Sequence, residues 1–129
     1  MLPEHDTDYL VALGAKYTVV AEGGMMCVVI SDFPIPTGFG VGVADLMLRL
    51  APGYPDVAPD MWWFYPAVKR IDGVEIPATQ SLENYLSRTW QRWSRHLVPG
   101  QWKPGVDSIE SYLALVRKEL LAARPAAAA

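Results

Sequence analysis

The sequence predicts an α+β fold with a helix at each end of the chain and a set of β-strands between the two helices. Residues 4–13 begin acidic and become apolar before Gly14, as in a short helix that has negative charge at its N-terminus and a glycine stop. Residues 44–51 place leucines at alternate positions, which is typical of a half-buried strand. A second, amphipathic helix that ends near Ala123 is predicted by apolar residues spaced three and four apart: Ile109, Tyr112, Leu113, Val116 and Leu120.

The amino-acid composition fits one domain and no membrane segment. With 129 residues and 51% hydrophobic content, the chain can build a single core. We expect residues 1–124 to form that domain and the alanine-rich residues 125–129 to be a disordered tail. The longest apolar run, residues 25–30, is too short to cross a bilayer, and the acidic N-terminus lacks the features of a signal peptide. We therefore expect a cytoplasmic protein without a membrane partner.

Charge and cysteine content argue against nucleic-acid, disulfide and metal chemistry. The net charge of −3 provides no basic surface for nucleic acid, although a local cluster of Arg88, Arg92 and Arg95 can hold a small acidic segment of a partner. The single cysteine, Cys27, has no partner for an intramolecular disulfide, and with only two histidines the chain lacks the spacing of a structural zinc site. The sequence predicts no cofactor, no metal and a reducing compartment.

The first half of the chain carries the signals of antiparallel strands. Residues 16–21 and 25–31 are apolar runs on either side of Glu22-Gly23-Gly24, which predicts a hairpin in which Cys27 is a structural residue. Residues 32–42 contain two prolines and three glycines and are expected to form a loop. Residues 52–59 contain three prolines, which predicts an extended, turning corner before the next strand.

The second half is less regular. Asp72-Gly73 stands between Val68-Lys69-Arg70-Ile71 and Val74-Glu75-Ile76, a signal for a two-residue hairpin turn. Residues 78–97 are ambiguous, because their apolar spacing suits one helix but no residue caps it well. Asp107 followed three residues later by Glu110 resembles a capping box at the start of the closing helix.

The densest chemistry lies in residues 90–96 and 102–104, where a serine and a histidine are surrounded by three tryptophans and two arginines. Side chains two positions apart share a side in extended backbone, so His96 can be the base that Ser94 needs to become a nucleophile. The alternative is structural: the tryptophans are core or surface aromatics, the arginines form a solvated face and Ser94 is a turn hydroxyl. Residue types alone favour the structural interpretation, because a nucleophile and base recognised without their geometry are a weak signal.

The order of the elements and two motifs resemble the ubiquitin-conjugating (E2, UBC-like) fold, which has an N-terminal helix, a four-stranded antiparallel meander, an active-site loop and a C-terminal helix. Residues 48–59 resemble the E2 signature in which a strand runs into Tyr-Pro and a proline-rich corner. Ser94, seven intervening residues and Trp102-Lys103-Pro104 resemble the C-x7-W-x-P pattern of E2 enzymes, with serine in place of the catalytic cysteine. The chain is similar to prokaryotic E2 family E, whose members carry a histidine just after the nucleophile, where His96 stands.

This resemblance implies a bacterial E2-like transferase that accepts the C-terminus of a ubiquitin-like protein from an E1-like adenylating enzyme and passes it to a target. It implies Ser94 as a nucleophile that forms an oxyester, with His96 as its general base. Arg92 or Arg95 is expected to hold the carbonyl or an acidic tail. Two aromatic residues, Trp93 and Trp102, complete the predicted partner-binding surface. A JAB-type peptidase in the same operon and a role in antiphage defence are further expectations.

The chain departs from the E2 pattern in ways that leave alternatives open. It has no His-Pro-Asn tripeptide, its spacing from Pro55 to Ser94 is longer than usual, and a serine hydroxyl is not ionised without help. One alternative is a non-catalytic E2 variant that binds and positions a ubiquitin-like protein or an E1 partner. Another is an adaptor of the same α+β shape that never meets a ubiquitin-like protein.

Overall fold

A computed structural model describes residues 2–126, which form two helices and six β-strands. In chain order these are α1 (Glu4–Ala12), β1 (Tyr17–Glu22), β2 (Met25–Pro34), β3 (Val43–Leu50), β4 (Trp62–Tyr65), β5 (Leu82–Tyr85), β6 (Arg88–Trp93) and α2 (Ile109–Ala122). Among the described residues, no helix has the length and apolar character needed to cross a bilayer. Of the predicted tail, Pro125 is buried and Ala126 is exposed, whereas residues 127–129 lie outside the described residues.

The six strands join one antiparallel sheet with the order β1-β2-β3-β4-β6-β5. The predicted helix at each end and the hairpin of β1 and β2 are confirmed. Gly23 and Gly24 form the turn of that hairpin with φ of 61° and 77°, a conformation that glycine adopts without strain. The sheet has six strands where four were predicted, because residues 82–93 contribute two more.

Residues 82–93 form a β-hairpin, so the helical interpretation of residues 78–97 is wrong. Leu86 and Ser87 make its turn, with positive φ of 52° and 61°. In β6, Trp90 faces one side of the sheet and Trp93 the other, and both are at most 1% exposed. A strand that is buried on both faces loses the alternation of polar and apolar residues by which strands are recognised.

The link between β4 and β5 does not form the hairpin predicted at Asp72-Gly73, and that prediction is also wrong. The backbone of residues 69–71 pairs instead with residues 38–40 of an earlier loop. Gln91 in β6 fixes the start of the link, because its Oε1 accepts the Val68 N–H at 2.7 Å and its Nε2 donates to the Val68 carbonyl at 3.0 Å. The buried Gln91 amide thus satisfies the backbone N–H and carbonyl of Val68. In a hairpin, a neighbouring strand would have had to pair with these groups.

The sheet separates two hydrophobic clusters. The larger is built by the strands and both helices and includes Trp62, Trp93 and Tyr112. The smaller lies on the opposite face and consists of Cys27, Met47, Trp63 and Trp90. Because Cys27 is 0% exposed within this second cluster, its location agrees with the structural role that the sequence predicts.

The ends of the sheet curl towards each other over the smaller cluster. The Leu86 N–H donates to both carboxylate oxygens of Glu22, at 3.0 and 3.1 Å, although β1 and the β5–β6 hairpin stand at opposite ends of the strand order. The Arg49 guanidinium lies 3.8 Å from the centre of the Tyr85 ring, a favourable cation–π geometry. These contacts close the second face of the sheet.

Helix α2 begins one residue later than the predicted capping box. Its N-cap is Ser108, whose backbone N–H donates to Ser111 Oγ at 3.0 Å, in place of Asp107 paired with Glu110. Asp107 Oδ2 instead accepts the Lys103 N–H at 2.7 Å within the preceding loop. Serine and aspartate are both favourable N-caps, so adjacent candidates leave the register open by one residue.

A buried carboxylate joins three parts of the chain. Asp6 in α1 is 1% exposed; its Oδ2 accepts the Tyr54 hydroxyl at 2.7 Å, and its Oδ1 accepts the Ile109 N–H at 2.9 Å. The Ile109 N–H is one of the donors that a helix N-terminus leaves without an intrahelical acceptor, and negative charge is favourable there. Burial and the hydrogen bond to Asp6 raise the pKa of Tyr54, so its hydroxyl remains a donor.

We expect Asp6→Ala to lower the free energy of unfolding by about 3 kcal/mol, because it leaves the Tyr54 hydroxyl and the buried Ile109 N–H without their acceptor. Tyr54→Phe removes one of the two bonds and is expected to cost about 2 kcal/mol. Denaturant unfolding measures both changes. Asp8→Ala is the control, since Asp8 is exposed in the same helix; equal stability of the Asp6→Ala and Asp8→Ala proteins would contradict the role of Asp6.

Candidate functional site

Ser94 is the first residue after β6 and opens the loop that leads to α2. Its backbone N–H donates to the Ala78 carbonyl at 2.9 Å, which extends the pairing of β6 with the segment before β5. The residue is half-buried. The backbone of Ser94 is therefore held in place by the sheet, and part of the residue remains exposed.

The Ser94 hydroxyl is the end of a polar network on the outer side of β6. Arg92 Nε donates to Ser94 Oγ at 3.0 Å, and Arg92 Nη1 lies 3.0 Å from Glu83 Oε2. The other Glu83 oxygen accepts the Trp63 indole N–H at 2.8 Å and the Tyr85 hydroxyl at 3.2 Å. Burial and the charge of Glu83 raise the pKa of Tyr85. The network fixes the guanidinium, which favours negative charge on the Ser94 oxygen.

His96 is hydrogen-bonded to an aspartate that the sequence did not suggest. Its Nδ1 lies 2.6 Å from Asp60 Oδ1, and both side chains are more than half exposed. An ionised carboxylate only accepts, so Nδ1 donates and Nε2 is left to exchange a proton with another group. Among residues 2–126, no hydrogen bond joins Ser94 to His96. The two residues predicted as nucleophile and base therefore have different partners in the free protein.

Arg95 and Trp93, both predicted to bind partners, are engaged within the chain. Arg95 Nε lies 2.9 Å from Glu119 Oε1 in α2, and its Nη1 donates to the Pro77 carbonyl at 3.0 Å. Trp93 is 0% exposed, and its indole N–H donates to Gln91 Oε1 at 3.0 Å. A side chain without exposed surface offers no contact, so a core role replaces the partner-binding role of Trp93. Arg95 braces the loop after β6 against α2.

Trp102 attaches the far part of the loop to the proline-rich corner of residues 52–59. Its indole N–H donates to the Pro55 carbonyl at 2.8 Å. The ring also packs against Tyr54 in the corner and Tyr112 in α2, with centroid distances of 6.1 and 6.4 Å. Trp102 thus links the two stretches of sequence, residues 48–59 and 102–104, that carry the resemblance to E2 enzymes.

Comparison with protein families decides the class of this chain, because residues 2–123 match the family model of prokaryotic E2 family E. The chain belongs to this family. No curated protein and no solved structure gave a match. Membership suggests a role in ubiquitin-like conjugation, in which E2 proteins in general have E1-like enzymes and ubiquitin-like proteins as partners. The terminal helices and curled antiparallel sheet are consistent with an E2-like fold.

Two residues of this E2-family site, Asp60 and Glu83, escaped the sequence analysis. Asp60 follows the proline corner, and it comes near His96 because the Met61 N–H donates to the Arg95 carbonyl at 3.1 Å. Glu83 lies in the segment of residues 78–97, whose secondary structure the sequence left ambiguous. Both contacts depend on the register of β4 and β5 against β6, for which the residues themselves carry no local signal.

Two cavities among residues 2–126 of this E2-family protein are lined by residues other than Ser94. One cavity of about 470 Å³ is lined by residues 67–70 and 73–76 together with Gln91. Gln91 and Ser94 point to opposite sides of β6, because side chains alternate along a strand. A smaller cavity of about 130 Å³ lies between the loop and α2, with Trp102 in its wall. Within the described part of the chain, no three His, Cys, Asp or Glu side chains form a group that could hold a metal ion.

Ser94→Cys is expected to introduce a thiol that reacts readily with Ellman's reagent, because residue 94 is only half-buried and part of its surface is exposed to solvent. The native Cys27 is 0% exposed and should react only when the protein unfolds. The absorbance time course should therefore show one fast thiol in the Ser94→Cys protein and none in the unsubstituted protein. Protection of the new thiol equal to that of Cys27 would contradict the accessibility of the site.

Proposed function

We propose that this E2-family protein accepts the C-terminus of a ubiquitin-like protein from an E1-like enzyme as an oxyester on Ser94 and then transfers it to a target. The observation that carries the proposal is the placement of the Ser94 hydroxyl at the start of the loop between β6 and α2, with Trp102 bound to the proline corner further along that loop. In the C-x7-W-x-P pattern of E2 enzymes, this position belongs to the cysteine. Family membership supports a role in conjugation.

In the proposed reaction, the Ser94 oxygen attacks the acyl carbon of the E1-bound thioester. A carbon–oxygen bond forms, the carbon–sulfur bond breaks with departure of the thiolate, and the hydroxyl proton moves to Nε2 of His96. Arg92 Nε already donates to the Ser94 oxygen, and this hydrogen bond favours loss of the hydroxyl proton to the base. His96 must turn from Asp60 towards Ser94, a change consistent with catalytic hydrogen bonds that tighten only when the partner is bound.

The two arginines beside Ser94 already form ion pairs, which limits the roles that they can have in the proposed reaction. Their side chains are 30% exposed for Arg92 and 20% for Arg95, and each already contacts a carboxylate, Glu83 and Glu119 respectively. Neither is available to clamp a long acidic segment without breaking an ion pair. We therefore assign Arg92 to polarisation of the reacting oxygen and Arg95 to support of the loop.

A second candidate function is a non-catalytic E2 variant that binds and positions a ubiquitin-like protein or an E1-like partner. One observation favours it: among the described residues, the hydroxyl of Ser94 is bonded to Arg92 and the imidazole of His96 to Asp60, so no base contacts the hydroxyl. In this function Ser94 orients Arg92, and His96 with Asp60 supports the loop. The two candidates differ in whether a covalent adduct forms.

Incubation of the protein with its E1-like partner, the ubiquitin-like protein and ATP is expected to give an adduct that survives thiol reductant but is cleaved by hydroxylamine. A thioester is cleaved by thiol, and an isopeptide survives both reagents, so gel electrophoresis with each reagent identifies the bond. Ser94→Ala should abolish the adduct. The binding-only candidate predicts a complex in pull-down experiments and no adduct from any variant.

Ser94→Cys and His96→Ala separate the nucleophile from its base. Ser94→Cys should restore an adduct that is now thiol-sensitive, because a thiol ionises far more readily than a hydroxyl. His96→Ala should slow the serine protein by about a hundredfold or more and the Ser94→Cys protein much less. Cys27→Ala is the matched control and should leave the adduct intact; loss of the adduct with the fold retained would place the nucleophile at Cys27.

The proposal extends to the setting of the gene. We place the protein in the bacterial cytoplasm, in an operon that also encodes an E1-like enzyme, a ubiquitin-like protein and a JAB-type peptidase, with antiphage defence as the biological role. Finding these genes next to this one would support both E2 functions, the catalytic one and the binding-only one. Their absence would favour an adaptor without a ubiquitin-like partner.

A further inference from the structure

The first strand of the sheet has an open edge. β1 stands at one end of the strand order, and among residues 2–126 it pairs only with β2. The Ser31 N–H donates to the Lys16 carbonyl at 2.8 Å, so these two residues form a hydrogen-bonded pair, and alternate residues after Lys16 point their backbone groups away from β2. The outward-facing N–H and C=O groups therefore belong to Tyr17, Val19 and Ala21.

Residues 18–21 give this edge none of the usual protection against pairing. They are all exposed and include no charged residue and no proline. Val19 and Val20 are 39% and 43% exposed, and the register with β2 is regular along the whole strand. Edge strands are commonly guarded by lysine, proline, a bulge or a covering loop. An apolar, regular edge of this kind is suited to pair with another strand.

We propose that β1 pairs antiparallel with β1 of a second copy of this chain across a two-fold axis, which joins two six-stranded sheets into one. Only residues with outward-facing backbone can exchange hydrogen bonds, and their overlap is longest when Val19 lies on the axis. In that register Tyr17 of one copy lies opposite Ala21 of the other, and Thr18 lies opposite Val20. The large Tyr17 side chain then lies opposite the small Ala21 side chain on each side of the axis.

Charge complementarity favours a second copy of this chain as the partner of the β1 edge. The register centred on Val19 places Lys16 of each copy opposite Glu22 of the other, and opposite charges directly across an antiparallel pair are stabilising. Lys16 is exposed, and the Glu22 carboxylate is held in place by the Leu86 N–H. Among residues 2–126, Glu22 has no ion pair of its own. The two-fold contact therefore supplies two ion pairs around an apolar centre.

The proposed dimer does not depend on the chemistry of the candidate active site. Ser94 follows β6, which three strands separate from β1 in the strand order. A single strand edge is smaller than a standard protein interface, so we expect a Kd in the micromolar range. The exposed Val11 and Leu13 lie shortly before β1 in the chain and add apolar surface near this end of the molecule.

Sedimentation equilibrium of the whole protein across the micromolar range tests the proposal. Val19→Lys places two like charges opposite each other on the axis and is expected to weaken dimerisation by about tenfold or more. Val106→Lys makes the same chemical change at a site that is 76% exposed in the loop before α2, and it should leave the dimer unchanged. Far-UV circular dichroism shows whether both variants stay folded.

A disulfide gives a second, register-specific test that does not depend on the lysine variant. Val19→Cys should cross-link two copies under mild oxidation, because residues directly opposite in an antiparallel pair lie within disulfide reach. Val106→Cys should not, and the native Cys27 is 0% exposed. Wild-type protein that stays monomeric, or a dimer that neither Val19→Lys weakens nor Val19→Cys traps, would overturn the proposal. A monomer that loses a ubiquitin-like partner on Val19→Lys would assign the edge to that partner instead.

Discussion

The position of the candidate site depends on the hydrogen bonds of one buried carboxylate. Asp6 holds Tyr54 of the proline corner and the first N–H of α2 at the same time. The loop that begins at Ser94 ends at α2, and Trp102 in that loop binds the corner. A buried carboxylate without its donors is costly, so the corner, α1 and α2 are stable in this arrangement only together. The loop is thereby fixed to the body of the protein at both ends.

Strand β6 links this framework to the candidate site, because its side chains point alternately to the two faces of the sheet. Gln91 turns inward and satisfies the backbone of Val68, while Arg92 turns outward and donates to the Ser94 hydroxyl. A serine needs both stabilisation of its oxygen and a base for its proton. The free protein supplies the first through Arg92. The proposed base is His96, which in the free protein is hydrogen-bonded to Asp60. In the proposed function, binding of the partner therefore completes the site.

Several local signals in the sequence predicted the fold, although the local signal at Asp72-Gly73 did not produce a hairpin. The two helices, the Gly23-Gly24 hairpin and the place of Ser94 before the last helix follow from caps, turns and motif spacing. The β5–β6 hairpin was not predictable, because Trp90 and Trp93 are buried on opposite faces of β6 and remove the alternation in that strand. Asp60 and Glu83 were missed for a related reason: they reach the site through strand register, which single residues do not encode. Burial of Trp93 likewise follows from tertiary packing alone.

Peptide mapping by mass spectrometry tests the central claim, the oxyester on Ser94, most directly. Trypsin cleaves after Arg92 and Arg95 and releases Trp93-Ser94-Arg95, a peptide in which Ser94 carries the hydroxyl and no lysine is present. After reaction with the E1-like enzyme, the ubiquitin-like protein and ATP, we predict the C-terminal remnant of the ubiquitin-like protein on this peptide, removable by hydroxylamine. A remnant on a lysine or on Cys27, with the tripeptide unmodified, would contradict the account.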